Sequence, residues 1–184
     1  MKHTKIVLLT AAVVMMTQAL GLSAAAEEET SAQSGEESVI DADSLSSDES
    51  SKETLTSGDY SYTLDGDNAT ITKYNGSETA VTIPDKLDGH TVTTLGSGTF
   101  ATKDMIVSIT IPATVDTINS SCFYGCTVLE QVSLAEGNTA FTVTDGVLFS
   151  ANGEDLIVYP QAMEGTSYTI PDTVREIWTS AFSN

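Results

Sequence analysis

The stretch Ile106–Cys126, which reads IVSITIPATVDTINSSCFYGC, decides the fold of this 184-residue chain. Its apolar residues recur further along the chain at a fixed offset, and such recurrence is the signature of a repeat. Five positions reappear with the same amino acid at an offset of 59 along the chain. The matching pairs are Ile111 with Ile170, Pro112 with Pro171, Val115 with Val174, Ile118 with Ile177, and Phe123 with Phe182.

The repeat has a period of 23, and two insertions interrupt it. Five extra residues lie between Pro84 and Val92, and 13 extra residues lie between Leu134 and Ile170. The remaining positions keep this period, which we expect to stack residues such as Ile111, Leu134 and Ile170 above one another. The pairs that set the period are Ile106 with Leu129, Ile109 with Val132, Ile111 with Leu134, Val92 with Val115, Leu95 with Ile118, and Phe100 with Phe123.

Each unit is predicted to form one coil that begins with a short strand. Alternation within the strand puts Ile109 and Ile111 on the inner face and the hydroxyl residues between them on the outer face. Pro112 ends the strand because it has no N–H to donate to a ladder. A single coil buries too little apolar surface to be stable, so we expect neighbouring coils to share strand hydrogen bonds and a continuous core.

The pattern I-x-I-P-x-x-V-x-x-I-x-x-x-(A/C)-F-x-x-C resembles the BspA-type leucine-rich repeat. The resemblance covers about four coils, roughly from Ala80 to the C-terminus, and it implies a β-rich, right-handed solenoid with short strands and short helical turns. It also implies a secreted or surface-displayed bacterial protein linked to adhesion and host-protein binding, with no catalytic residues to carry over. Asn119 and Trp178 depart from the family pattern, which usually has Gly at that position.

Three further segments surround the coils. Residues 27–58 carry ten acidic residues and many serines, and such a composition predicts a disordered linker. Residues 59–75 alternate aromatic and polar side chains around Asp65-Gly66, which predicts a hairpin that caps the first coil. Residues from about 138 to 165 contain Asp145-Gly146 and Asn152-Gly153, two strong turn signals that predict an inserted β-meander.

The N-terminus has the features of a secretory signal. Two lysines precede an apolar run, and Ser23-Ala24-Ala25-Ala26 supplies small residues for cleavage after Ala26. An uncleaved signal anchor is the alternative. At the other end, the sequence stops two residues after Phe182, inside a coil, so we expect the chain to be truncated.

The two cysteines, Cys122 and Cys126, are four residues apart at a predicted coil corner. Both fall on positions that the repeat turns inward, where a free thiol acts as a small hydrophobe. A disulfide between them is an alternative in an exported protein, and a metal site is a second one, although two thiolates alone cannot complete a zinc site.

The charge of the chain limits its partners. The net charge is −19, with 26 acidic and seven Lys or Arg residues, which argues against nucleic acid and against anionic membrane surfaces. His90 is the one histidine after the signal, and no acid, base and nucleophile converge around it. We therefore predict no enzyme, no cofactor and no metal.

The favoured function is protein binding, through polar residues on the outer strand faces and an aromatic anchor. The alternative is a structural spacer that displays another domain of a larger surface protein. The candidate contact residues are Ser108, Thr110, Gln131, Ser133, Ser167, Thr169, Tyr124 and Trp178.

Overall fold

The structure, a computed structural model, describes residues 6–8, 52–165 and 167–183. These residues form a β-solenoid of about five turns, built from strands, turns and loops. The strands are β1 (Ile6–Leu8), β2 (Leu55–Ser57), β3 (Tyr60–Asp65), β4 (Asn68–Tyr74), β5 (Ala80–Thr82), β6 (Lys86–Leu87), β7 (His90–Leu95), β8 (Ser108–Ile111), β9 (Thr117–Ile118), β10 (Gln131–Leu134), β11 (Phe141–Thr144), β12 (Val147–Ser150), β13 (Asp155–Val158), β14 (Ser167–Thr169) and β15 (Glu176–Ile177).

One parallel sheet, which we call the front sheet, contains the strands that open three successive coils. Its order is β10-β8-β5, and Val81, Ile109 and Val132 lie opposite one another in register. All three side chains are buried. The predicted period therefore separates β8 from β10 along the chain. The same period, lengthened by the first insertion, separates β5 from β8.

A second parallel ladder runs through β4, β7 and β9 on the other side of the coils. Ile71, Leu95 and Ile118 are in register there and buried. The backbone links one coil to the next, since the Asn119 N–H donates to the Leu95 carbonyl at 2.8 Å. Residues one period apart in the sequence are thus hydrogen-bonded neighbours on successive coils.

Aromatic rings form a column at the corner where each coil closes. The ring centroids of Tyr74 and Phe100 are 5.5 Å apart, and those of Phe100 and Phe123 are 5.6 Å apart with an interplanar angle of 3°. Aromatic rings at such distances stabilise one another, in addition to the contribution of the apolar area that they bury. Backbone bonds keep the column in register, because the Phe100 N–H donates to the Cys122 carbonyl at 2.9 Å.

The predicted helical turns are absent from the residues that the structure describes. The corners instead contain single turns closed by bonds between residues three apart, such as Ala101 N–H to Gly98 O at 3.0 Å. Thr102 and Ser121 each have a φ of 60°. A right-handed helix needs negative φ at every residue, so these positions stop the turns from continuing as a helix.

The N-terminal cap contains three antiparallel strands, β2, β3 and β4. Residues 55–57, which the sequence places in the linker, form β2. Asp88, in the first insertion, holds the cap by accepting from Ser57 Oγ at 2.7 Å and from the Tyr62 hydroxyl at 2.8 Å. The same two bonds lower the pKa of the Asp88 carboxyl.

The last coil packs into a separate buried cluster and not into the core that the preceding coils share. Ile170 belongs to a second buried cluster with Leu156 and Val174, so the prediction that it stacks above Leu134 is wrong. The reason is the second insertion, which forms the antiparallel meander β11-β12-β13. β15 of the last coil then pairs in parallel with β13.

Asn138 marks the place where the regular stack ends. Its Nδ2 donates to the carbonyls of Pro112 and Val115 at 2.8 and 3.0 Å. Its Oδ1 accepts from the N–H groups of Ala140 and Phe141 at 3.1 and 3.2 Å. Asn138 lies one period after Val115, so an amide replaces the valine of the repeat and ties the start of the meander to the previous coil.

Most of the predicted signal and linker lies outside the described residues. Of the signal, Ile6–Leu8 form β1, which pairs antiparallel with β14. Cleavage after Ala26 would remove β1 and leave β14 without this partner. No helix among the described residues is long and apolar enough to cross a membrane.

We predict that Asn138→Asp lowers the free energy of unfolding by about 2–3 kcal/mol, because it removes two donors and brings a carboxylate up to two carbonyl oxygens. Urea unfolding measures the effect. Asn152→Asp is the control, since Asn152 makes its contacts in an exposed turn, and we expect a loss under about 1 kcal/mol there. Equal losses in both variants would contradict the bridging role of Asn138.

We also predict that Gly96→Ala destabilises the protein by about 3 kcal/mol. A Cβ on Gly96 would lie 2.8 Å from the Ile71 carbonyl oxygen, which already accepts from Gly96 N–H at 2.7 Å and Thr99 Oγ1 at 2.8 Å. Gly58→Ala is the control, because a Cβ there meets nothing within 4 Å and adds only the strain of positive φ, about 1 kcal/mol. Thermal unfolding should show a larger loss of stability for Gly96→Ala than for Gly58→Ala. A Gly96→Ala variant as stable as the wild type would contradict the close approach of Gly96 to the Ile71 carbonyl.

Candidate functional site

The outer face of the front sheet carries a group of polar side chains, which we call the polar strip. Ser108 lies opposite Gln131, and Thr110 lies opposite Ser133. The Oγ atoms of Thr110 and Ser133 are 2.9 Å apart and hydrogen-bonded. Four of the six strand-face residues chosen from the sequence are thus neighbours on two rigid strands.

The polar strip extends to a third strand that the sequence analysis did not include. Thr82 of β5 lies opposite Thr110 and is exposed. A signal was available, because Thr82 precedes Ile83 just as Thr110 precedes Ile111. The strip is therefore formed by Thr82, Ser108, Thr110, Gln131 and Ser133.

The other two strand-face candidates lie elsewhere. Ser167 and Thr169 are on β14, which corresponds to β8 in the sequence repeat but pairs with β1 and not with the front sheet. The meander and the loop after it occupy the chain between β10 and β14. Sequence equivalence therefore did not predict which strands are neighbours.

An open cleft of about 410 Å³ lies beside the polar strip. It borders the start of β10, and the loop on its other side is tied to the solenoid by the bond from Ala162 N–H to Leu129 O at 2.9 Å. Two carboxylates make this cleft acidic. Its lining residues are Glu130, Gln131, Gly146, Ala162, Met163 and Glu164.

A second concave site surrounds Trp178, and we call it the tryptophan groove. It has a volume of about 250 Å³ and lies between the end of β9 and the last coil. The two coils meet closely there, since Ser121 Oγ and Ser180 Oγ are 3.0 Å apart. Its lining residues are Ile118, Asn119, Ser120, Glu176, Trp178 and Thr179.

Asn119 and Trp178 hold equivalent positions of two coils and share this groove. The corresponding position one coil earlier is Gly96, where the Ile71 carbonyl leaves no room for a side chain. β9 pairs with β7 and with no other described strand. The ladder is therefore interrupted beyond Asn119, and side chains larger than glycine fit at both positions.

Tyr124, the other aromatic candidate, lies apart from the residues that line the tryptophan groove. Its side chain is 51% exposed, and its carbonyl accepts from Thr102 N–H at 2.7 Å. Trp178 is only partly exposed and packs against both core clusters. The two aromatic residues therefore have different surroundings, and Trp178 is the one held in a concave site.

Both cysteines are buried free thiols in this structure. Burial raises the pKa of the Cys122 thiol, and it raises the pKa of Cys126 to about 11. Cys126 Sγ donates to the Phe100 carbonyl at 3.1 Å. Protonated thiols are poor nucleophiles and poor metal ligands. Within the described ranges, no three His, Cys, Asp or Glu residues form a metal-binding group.

Comparison with known proteins identifies the repeat. The model of the BspA type leucine rich repeat region matches residues 73–152 in six copies. No curated protein matches the sequence.

Several solved structures are similar to this chain, among them the following three. A T. pallidum leucine rich repeat protein is 29% identical, with a TM-score of 0.42, over 46% of this chain and 41% of its own. A leucine rich cell surface protein from Faecalibacterium prausnitzii is 28% identical, with a TM-score of 0.49, over 68% and 32%. A leucine-rich repeat protein from Bacteroides capillosus is 23% identical, with a TM-score of 0.41, over 68% and 96%. The chain thus spans less than half of the first two proteins.

The matched residues begin at the end of the hairpin cap and include the three strands of the front sheet. The repeat found in the sequence, the shared ladders and the family model agree. Residues 73–152 therefore match a BspA-type leucine-rich repeat region.

Proposed function

We propose that this protein is a non-enzymatic, secreted or surface-displayed repeat protein that binds other proteins and acts in adhesion. The observation that carries the proposal is the polar strip, with the acidic cleft beside it. The signal predicted at residues 1–26 supports export, and the family supports a role in protein interaction.

The polar strip suits recognition because its groups are held in place. Five hydroxyl and amide side chains project from three strands whose register is set by backbone bonds. Strands position side chains more accurately than loops do. Short hydroxyl side chains also lose little conformational entropy when a partner covers them.

The charge of the protein indicates the kind of partner surface. The described residues include 17 Asp or Glu and five Lys or Arg, and Glu130 and Glu164 line the cleft beside the strip. Complementary charge speeds encounter and disfavours wrong partners. A partner with a basic surface, such as an exposed basic patch of an extracellular-matrix protein, fits this side of the solenoid.

We predict that Thr110→Arg reduces retention on immobilised extracellular-matrix proteins by about tenfold or more, the size of effect expected when a central contact is blocked. Thr110 is in the middle strand, so a long side chain there covers the strip. Thr173→Arg adds the same charge in an exposed turn outside the strip and should retain wild-type binding. The readout is the fraction of protein retained at moderate salt.

Two results would overturn the proposal. Equal retention of both variants would show that the strip does not contact the partner. No retention of the wild-type protein on any matrix protein tested would favour the structural spacer.

A further inference from the structure

We propose that the tryptophan groove receives an arginine side chain of the partner protein. The inference rests on the proposed function, that the protein binds other proteins, and it names the chemistry of one contact. The groove combines an apolar floor, an aromatic wall and one carboxylate, which are the three features that an arginine side chain requires.

The floor of the groove is apolar. Ile118 lines it and is almost fully buried under it, with 4% of its surface exposed. A smaller cavity borders the same residue and is lined by Ile157 and Val158 among others. The methylene stem of an arginine can pack on such a surface while its head group stays at the rim.

Trp178 forms the aromatic wall. Indole attracts cations more strongly than the other aromatic rings, and arginine is the most common partner. Trp178 packs against both core clusters while remaining partly exposed in the groove. The ring is therefore fixed before binding, which reduces the entropy that a cation–π contact would cost.

Glu176 supplies the negative charge. It lies two residues before Trp178, so the two side chains project from the same face of the chain in an extended segment. Its carboxylate forms no ion pair with any residue in the described part of the chain. The neighbouring Arg175 is bound to Glu154, with Nε and Oε1 2.7 Å apart, so it does not compete for Glu176.

The rim favours a guanidinium over an ammonium. Asn119, Ser120 and Thr179 also line the groove, and their side chains carry a carboxamide oxygen and two hydroxyl oxygens that can accept hydrogen bonds. A guanidinium has five N–H donors in a plane and can stack on an indole while it binds several acceptors. A volume of about 250 Å³ suits a single side chain better than a large organic ligand.

The groove can be tested directly because Trp178 is the only tryptophan of the chain. The full chain is titrated with the peptide acetyl-Gly-Arg-Gly-amide and with its citrulline analogue, which has a similar shape and no charge. We expect a saturable change in tryptophan emission, with the arginine peptide binding at least about fivefold more tightly. Added salt should weaken the arginine peptide and leave the citrulline peptide unchanged.

Glu176→Gln separates the ion pair from the remaining contacts. We expect it to weaken the arginine peptide about threefold to fivefold and to leave the citrulline peptide unchanged. Glu136→Gln, in the exposed turn after β10, removes the same charge outside the groove and should bind like the wild type. Both changes are at exposed positions, so both variants should fold.

Three results would overturn the inference. They are equal binding of the two peptides, an unchanged affinity in Glu176→Gln, and an emission change with N-acetylglucosamine but not with the arginine peptide, which would indicate a carbohydrate site. None of them affects the polar strip. Conversely, Thr110→Arg should leave the peptide titration unchanged, so failure at the groove and failure of the proposed function are distinguishable.

Discussion

The hydrogen-bond ladder between successive coils is the constraint on which the rest of the structure depends. One coil has two open edges and a core that it cannot cover by itself. Neighbouring coils close both, through bonds such as Gln131 N–H to Val107 O and Asn119 N–H to Leu95 O. The inward residues must then recur at the interval that places them on neighbouring strands. The same register aligns the outward residues, whatever their type.

The acidic cleft and the tryptophan groove both occur where this ladder is interrupted. The acidic cleft borders β10, the edge strand of the front sheet. The tryptophan groove lies beyond β9, where the next coil in sequence begins the meander instead of adding a rung. Asn138 makes this departure possible, because its side chain satisfies four backbone groups at the start of the insertion. In the regular coil before that of Asn119, the Ile71 carbonyl lies against Gly96 and leaves no room for a side chain at the position equivalent to Asn119.

Sequence reasoning succeeded where the offset between residues equals the distance between neighbouring rungs. The period of the repeat, with the first insertion taken into account, correctly predicted the register of Ile109 with its neighbours and grouped Ser108 with Gln131. Residues of the last coil match the repeat at a longer offset, but they do not lie next to the residues that they match. The sequence therefore predicts the wrong surroundings for Ile170 and Ser167. The groove was missed for the same physical reason, since only the folded chain shows that Trp178 and Asn119 face one cavity.

The most direct test of the shared ladder is a disulfide between its rungs. In a background with both native cysteines replaced by alanine, Thr110→Cys is combined with Ser133→Cys, its register partner, or with Gln131→Cys, which is two residues out of register. Adjacent parallel strands are about 4.8 Å apart, within disulfide range, whereas the diagonal pair is beyond about 7 Å. The account predicts rapid oxidation of the 110–133 pair alone, and preferential oxidation of the 110–131 pair would contradict it.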